Sequence, residues 1–364
     1  MTREDTYVLI TVYSSNSTNF WPFSRKHLPK QFLDLFGNGR SLLQLTYERS
    51  RGICPDKNIY ISVPKEYLHI FKAQLPDFPE ENILVEPVRR NSAPCIAYAS
   101  YKIKQLNKNA VIVVCPASHA IFGEIAFVRD IRKAVEVAHM DKNALLIMGI
   151  KPHKAETSYA YIQYHYDHVG LVKRVKSFME KPQDELARLF MESGDFAWNT
   201  KIFVWHVDAI LDAFETHIPE VAELFHECMP YFSTEEEEQS IMKAYSVCKN
   251  VSISNAMLEK ADNVFLIMGN FDWSSVSSWQ SLSDLKERDN QNEENIVEAN
   301  ALMLNSKNCF VKSNSKRLIV VQGLKNYLIA DSEDVLLIYP KDEQDVSLRS
   351  VMSEVKNHKG ERYI

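Results

Sequence analysis

A chain of 364 residues with 45% hydrophobic and 25% charged side chains is long enough for one large domain or two ordinary ones with real cores. Its net charge of -6 at pH 7 argues against a general nucleic-acid or membrane-surface binder. No apolar run is long enough to span a bilayer, and the mixed charges of "MTREDTYVLITVY" lack the layout of a signal peptide, so a cytoplasmic protein is expected. The six cysteines form no CxxC pair, and their mostly apolar surroundings read as buried, reduced thiols rather than a metal or redox centre.

Along the chain, short apolar β-rich runs alternate with helical patterns. Residues 7–12, 59–63, 83–85, 110–114 and 145–148 read as strands, and 41–51, 65–74, 93–106 and 124–139 as amphipathic helices. Such alternation predicts a parallel α/β sheet with helices on both faces. Ligands then sit at the C-terminal ends of the strands, which puts the loops after Val12, Val85, Val114 and Met148 on one rim. Residues 207–248 read as mostly helical. Within them "STEEEEQ" suits a capped helix start, whose acidic residues favour the dipole, better than an acidic metal patch. The charged run 286–295 reads as a linker. After it come β runs every eight to twelve residues, a small all-β module, and a closing helix over "DEQDVSLRSVMSEVK".

Three groups of residues carry chemistry. "WPFSRKHLPKQF" places Arg25, Lys26 and Lys30 just past the first strand, as either a solvated basic loop or a phosphate site. "ILVEPVRRNSAP" places Glu86, Arg89, Arg90 and Asn91 at a strand end. A carboxylate there suits guanine N1–H and N2–H2, while Asn91 and Ser92 also suit a helix cap. "FMEKP" and "FAWNTKIFVW" supply Glu180, Lys181 and Asn199: an acceptor, a cation and an amide suited to sugar hydroxyls and a phosphate.

Together with "CPASHAI", "MGIKPHKAETSYAYI", "LEKADNVFLI", "WSSVSSW" and "IADSEDVLLIYPKDEQDV", these stretches cover nearly the whole chain in one order. They resemble the bacterial mannose-1-phosphate guanylyltransferase (GDP-mannose pyrophosphorylase) family. The resemblance implies a Rossmann-like nucleotidyltransferase (GT-A-like) α/β domain over 1–285, the linker over 286–295 and a small left-handed β-helix-like domain over 296–364. It implies the reaction of GTP with mannose 1-phosphate to give GDP-mannose and pyrophosphate, with Mg²⁺. It assigns Arg25, Lys30, Glu86 and Asn91 to the nucleotide, with Lys30 retained from the catalytic set. Glu156, Glu180, Lys181, Asn199 and Lys201 fall to the sugar phosphate. A homo-oligomer or a catalytic paralogue would be the protein partner; no nucleic acid or membrane is implied.

The departures from that family are concentrated. Its Gly-Gly-x-Gly-x-Arg loop becomes Ser14, Ser15, Ser17 and Asn19. Cβ atoms replace open backbone where phosphate should approach, and the arginine charge is lost. Ser118 and Ser275 stand at its two metal-binding aspartate positions, and a hydroxyl is a weak ligand for a hard cation. Asp272 is the neighbouring carboxylate. Ser158 and Ala160 replace glycines, and Lys201 replaces the glycine after the Trp-Asn motif. The expectation is a family member whose transfer is weak or absent and which binds a nucleotide sugar or regulates. The alternatives are an active enzyme with an altered phosphate and metal site, and a structural or interaction module with no ligand.

Overall fold

The computed structural model describes residues 3–12, 19–166, 170–289, 294–341 and 345–364. The chain divides into two compact units, one of residues 1–13 and 44–275, the other of 14–43 and 276–364.

In chain order the elements run β1 (Thr6–Thr11), α1 (Leu42–Ser50), β2 (Ile59–Pro64), α2 (Leu68–Gln74), β3 (Ile83–Glu86), α3 (Ser92–Leu106), β4 (Val111–Pro116), β5 (Ala120–Phe122), α4 (Glu124–Met140) and β6 (Leu145–Ile150). There follow β7 (Tyr161–Tyr164), β8 (Val172–Met179), α5 (Asp184–Ser193), β9 (Phe196–His206), α6 (Val207–His217), α7 (Pro219–Cys228), α8 (Glu237–Val247), β10 (Val264–Met268) and β11 (Asp272–Ser274).

Among the described residues, the first unit holds a nine-stranded sheet in the order β3-β2-β1-β4-β9-β6-β10-β8-β7. Every residue of β1, β2 and β6 is buried. Near-continuous, largely hydrophobic runs of this kind belong to strands covered on both faces. Burial of each large apolar side chain contributes about 1.5–3 kcal/mol. α4 shows the matching helical stripe, with Phe127, Ile131, Ala134, Val135 and Ala138 buried.

The expected parallel sheet proves mixed. β1, β2, β3 and β4 are mutually parallel, and β10 is parallel to β6, but β9 runs antiparallel between β4 and β6. β8 is antiparallel to β10, and β7 to both β8 and β9. A buried apolar run records that a strand is covered but not its direction. The reversal has a consequence for chemistry. β9 enters the sheet from the rim where β4 and β6 end, with Trp198 opposite Ile150 and Asn199 opposite Gly149. It therefore delivers its first residues to the same rim.

The second unit contains α9 (Trp279–Asp289), β12 (Ile296–Glu298), β13 (Ala301–Leu304), β14 (Phe310–Ser313), β15 (Ile319–Gln322), β16 (Tyr327–Ser332), β17 (Val335–Pro340) and α10 (Asp345–Lys359). Lys286–Asp289, read as the start of a linker, are the last turn of α9; residues 290–293 lie outside the described set. The β-rich part is largely parallel. Ile296, Phe310 and Leu328 align across β12, β14 and β16, and Ala301 aligns with Ile319 across β13 and β15. Val311, Val321 and Ile329 form its small core. Residues 19–43 belong to this unit. Trp279 meets the rings of Phe20, Phe23 and Phe310 at centroid distances of 5.3, 5.6 and 5.8 Å, all edge-on.

All six cysteines are free and buried. No helix among the described residues is long and apolar enough to cross a membrane. "STEEEEQ" forms the approach to α8. Glu237 accepts the backbone N–H of Ser233 at 2.7 Å and pairs with buried Lys102, also at 2.7 Å. Both contacts suit a helix start.

Candidate functional site

The first unit assembles one cluster of the expected residues on its sheet rim. Ala160, just before β7, accepts the backbone N–H of Asn199 at 2.8 Å. β7 also pairs with β8, aligning Tyr161 with Met179. Glu180 and Lys181 at the end of β8 therefore converge with Asn199 and Lys201 of β9 around the start of β7. Glu156 stands just upstream, half-buried. Its carboxylate accepts the Ser158 N–H at 3.1 Å and hydroxyl at 2.6 Å, and Lys154 lies 3.1 Å away. Ser158, at a glycine position of the resembling family, thus holds Glu156. Glu180 and Lys181 are exposed, and the Lys201 ammonium is 3.9 Å from the Glu180 carboxylate.

Asn199 is 4% exposed, and its Oδ1 accepts the N–H of Lys201 at 2.9 Å. The register of β6 against β9 shifts between Ile147 and Gly149. Residues 200–202 bulge there, with the Thr200 hydroxyl donating to the Met148 carbonyl at 2.6 Å. The bulge puts Lys201 at φ 55°, a conformation that glycine adopts freely and that costs an L side chain about 1–2 kcal/mol. The need for glycine is still written in the backbone although lysine occupies the place. Lys201→Gly is expected to stabilise the protein by about 1 kcal/mol, after allowance for glycine's greater freedom when unfolded. Urea unfolding of parent and variant checks this; a loss of stability would mean that the Lys201–Glu180 contact outweighs the strain.

An aromatic group underlies this cluster. Tyr159 meets Trp198 at 5.2 Å and Trp273 at 5.0 Å, and Trp273 meets His119 at 5.3 Å. The Tyr159 hydroxyl lies 3.0 Å from the Ser274 hydroxyl, and burial pushes the phenol's pKa up. The sequence reading missed Tyr159 and His119. The signal available was their place inside two of the matching motifs.

The two serines that the resemblance sets at metal-aspartate positions flank the same end of a short ladder. Ser118 lies in the turn between β4 and β5. β11 pairs antiparallel with β5, aligning Ser274 with Ala120, so Ser275 follows alongside His119 and Ser118. Both serines are half-buried. Asp272 aligns with Phe122 at the other end of this three-residue ladder, and residues three apart in a strand face opposite ways. It does not stand in for either serine. Among the described residues, no three His, Cys, Asp or Glu side chains are placed to hold a metal ion. Two neutral hydroxyls do not fit Mg²⁺, which prefers carboxylate oxygens.

The turn expected to read the base is closed. Glu86 is 1% exposed, accepts the Ser62 hydroxyl at 2.5 Å and the Tyr245 hydroxyl at 3.5 Å, and has its pKa pushed up to about 7 by burial. Tyr245 belongs to the core cluster. Asn91 caps α3, its Oδ1 accepting the Ser92 N–H at 2.9 Å. Arg89 pairs with Glu66 at 2.5 Å, and Arg90 donates to the Tyr245 carbonyl at 3.2 Å.

In the second unit, Ser14, Ser15 and Ser17 lie outside the described residues. Asn19 donates to the Ser277 carbonyl. Arg25 and Lys30 are each 8% exposed, whereas Lys26 is exposed. Arg25 forms a two-pronged ion pair with Asp334. Lys30 donates to the Val276 carbonyl at 2.8 Å, and burial lowers its pKa to about 7. Val276 has φ 42°, an outlier for a β-branched residue. These two cations are built into the unit rather than solvated.

The nucleotidyl transferase family model matches residues 16–293. A mannose-1-phosphate guanylyltransferase of Klebsiella pneumoniae is 30% identical over 363 residues, spanning 96% of this chain and 76% of that protein. The alginate biosynthesis protein AlgA of Pseudomonas putida is 29% identical over 342 residues, 92% of this chain and 68% of that one. In fold, the chain is similar to a solved structure described as a mannose-1-phosphate geranyltransferase from Thermus thermophilus. The TM-score is 0.84 at 24% identity, covering 97% of this chain and 99% of that one. The chain belongs to the nucleotidyl transferase family, in its mannose-1-phosphate guanylyltransferase group.

Proposed function

We propose that this protein binds a nucleotide sugar, GDP-mannose by the family reaction, while its transfer from GTP to mannose 1-phosphate is weak or absent. The observation that carries the reading is the β5–β11 ladder. Ser118 precedes β5 and Ser275 follows β11, so both flank one end of this ladder, and Asp272 lies at its other end; the family resemblance calls for carboxylates at the two serine positions. Loss of metal neutralisation at a developing charge costs several kcal/mol of barrier, about 10³-fold in rate. The sugar-side cluster keeps Glu180, Lys181 and Asn199 converging around β7. On this reading the protein regulates, in the cytoplasm, alone or with a catalytic paralogue. We infer in addition that the parallel rungs of the second unit coil as a left-handed β-helix.

Calorimetry with the two nucleotides tests the proposal. The residues lost would serve the triphosphate and the metal, and GDP-mannose has no triphosphate. It is expected to bind more tightly than GTP, and Glu180→Ala is expected to remove the difference. Equal affinities, tighter GTP binding or no binding of either ligand would overturn the proposal.

A further inference from the structure

Residues 361–363 make an unusual set of contacts inside the second unit. α10 ends at Lys359, and Gly360 turns the chain at φ 94°. The single 3-10 turn that follows buries no side chain. It contributes backbone carbonyls instead. The Tyr363 carbonyl accepts the Trp21 indole N–H at 2.6 Å, and the Arg362 carbonyl accepts the Arg25 guanidinium at 3.3 Å. Asp334 takes the other side of the fork, and the Arg25 Nε donates to the Pro22 carbonyl at 3.1 Å. All three nitrogens of Arg25 are therefore occupied by groups of its own unit.

We propose that residues 361–363 and Asp334 form a strap that holds Arg25 closed, and that releasing the strap frees this guanidinium for an oligophosphate. The proposal rests on reading "WPFSRKHLPKQF" as a phosphate-facing segment. Its physical basis is a contrast in strength. The Arg362 carbonyl is a weak, neutral partner for the guanidinium, and Asp334 offers a single carboxylate, whereas an oligophosphate offers several charged oxygens for paired bonds. No side chain of the strap is fully buried to oppose its release. Asp334 is partly open to solvent, its side chain being 36% exposed, so one arm of the fork can be reached from water.

The test uses calorimetry with inorganic tripolyphosphate on the full chain, on a chain ending at Gly360, and on Asp334→Asn. Each release variant is expected to bind tripolyphosphate at least about 5-fold more tightly, and adding Arg25→Gln is expected to cancel the gain. Glu333→Gln makes the same change in net charge next to Asp334 and is expected to leave affinity unchanged. If the shortened chain does not fold, Asp334→Asn decides alone. No tightening in a folded release variant, tightening that survives Arg25→Gln, or an equal gain from Glu333→Gln would each overturn the strap. GDP-mannose binding by the full chain is read separately. A full chain that binds GDP-mannose, with release variants unchanged toward tripolyphosphate, refutes the strap and leaves the proposed function standing.

Discussion

Lys30→Met is expected to raise stability by about 3 kcal/mol near pH 6, with the gain shrinking steadily toward pH 10. Lys30 is 8% exposed, and desolvation lowers its pKa to about 7 in the folded chain, from 10.5. Between those values the unfolded chain holds the proton that the folded chain releases. Stability must then rise with pH through the window from about 7 to 10.5, and below 7 the full cost of the buried ammonium applies. Methionine has similar length and no charge, so it escapes that cost. Against the gain stands the hydrogen bond to the Val276 carbonyl at 2.8 Å, whose loss removes about 1–2 kcal/mol. Urea unfolding of parent and variant from pH 6 to 10 reads the difference directly. A variant less stable than the parent at every pH would show that carbonyl dipoles around Lys30 fully compensate the burial. In that case the lysine would be a structural cation rather than one held in reserve for a phosphate.

Glu86→Gln carries the opposite slope. Burial raises the Glu86 pKa to about 7, with the Ser62 and Tyr245 hydroxyls opposing that shift. A folded pKa above the unfolded one means that the folded chain takes up a proton. The contribution to stability is complete below about 4.5 and is lost as pH rises through 7. Glutamine keeps the shape and is neutral throughout. The variant is expected to match the parent near pH 4.5 and to exceed it by about 2–3 kcal/mol at pH 8. Denaturant melts of both proteins at these two pH values decide. An unchanged difference across the range would mean that Glu86 stays ionised in the fold. Its protonation also bears on recognition. Guanine N1–H and N2–H2 both donate, and a carboxylic acid that is itself partly protonated is a poor partner for two donors.

The reading of these two residues shows what the sequence conveys and what it conceals. β1, β2, β3, β4 and β6 were legible because each is a short apolar run between turn residues, and α3 and α4 because their apolar positions recur with helical spacing. Direction was not legible at β9. Its residues Phe196–His206 are apolar enough for either a parallel or an antiparallel place in a covered sheet, and the motif within it drew the reading toward chemistry. β5 and β11 are three residues each, too short to carry a pattern. The charged side chains misled most. A basic loop such as 25–30 reads as solvated unless its partners are known. Those partners, Val276 for Lys30 and Asp334 and Arg362 for Arg25, lie hundreds of residues away in the chain. The departures at Ser118, Ser275 and Lys201 were visible in the sequence itself. The structure adds that the two serines flank the same end of the β5–β11 ladder and that Lys201 keeps a glycine's backbone.

The central claim, that this family member has lost efficient transfer, is tested most directly by pyrophosphate release from GTP and mannose 1-phosphate in the presence of Mg²⁺. The purified chain is expected to turn over at least about 10³-fold below the ordinary enzyme range of 1–10³ s⁻¹. Turnover at or above about 1 s⁻¹ would contradict it.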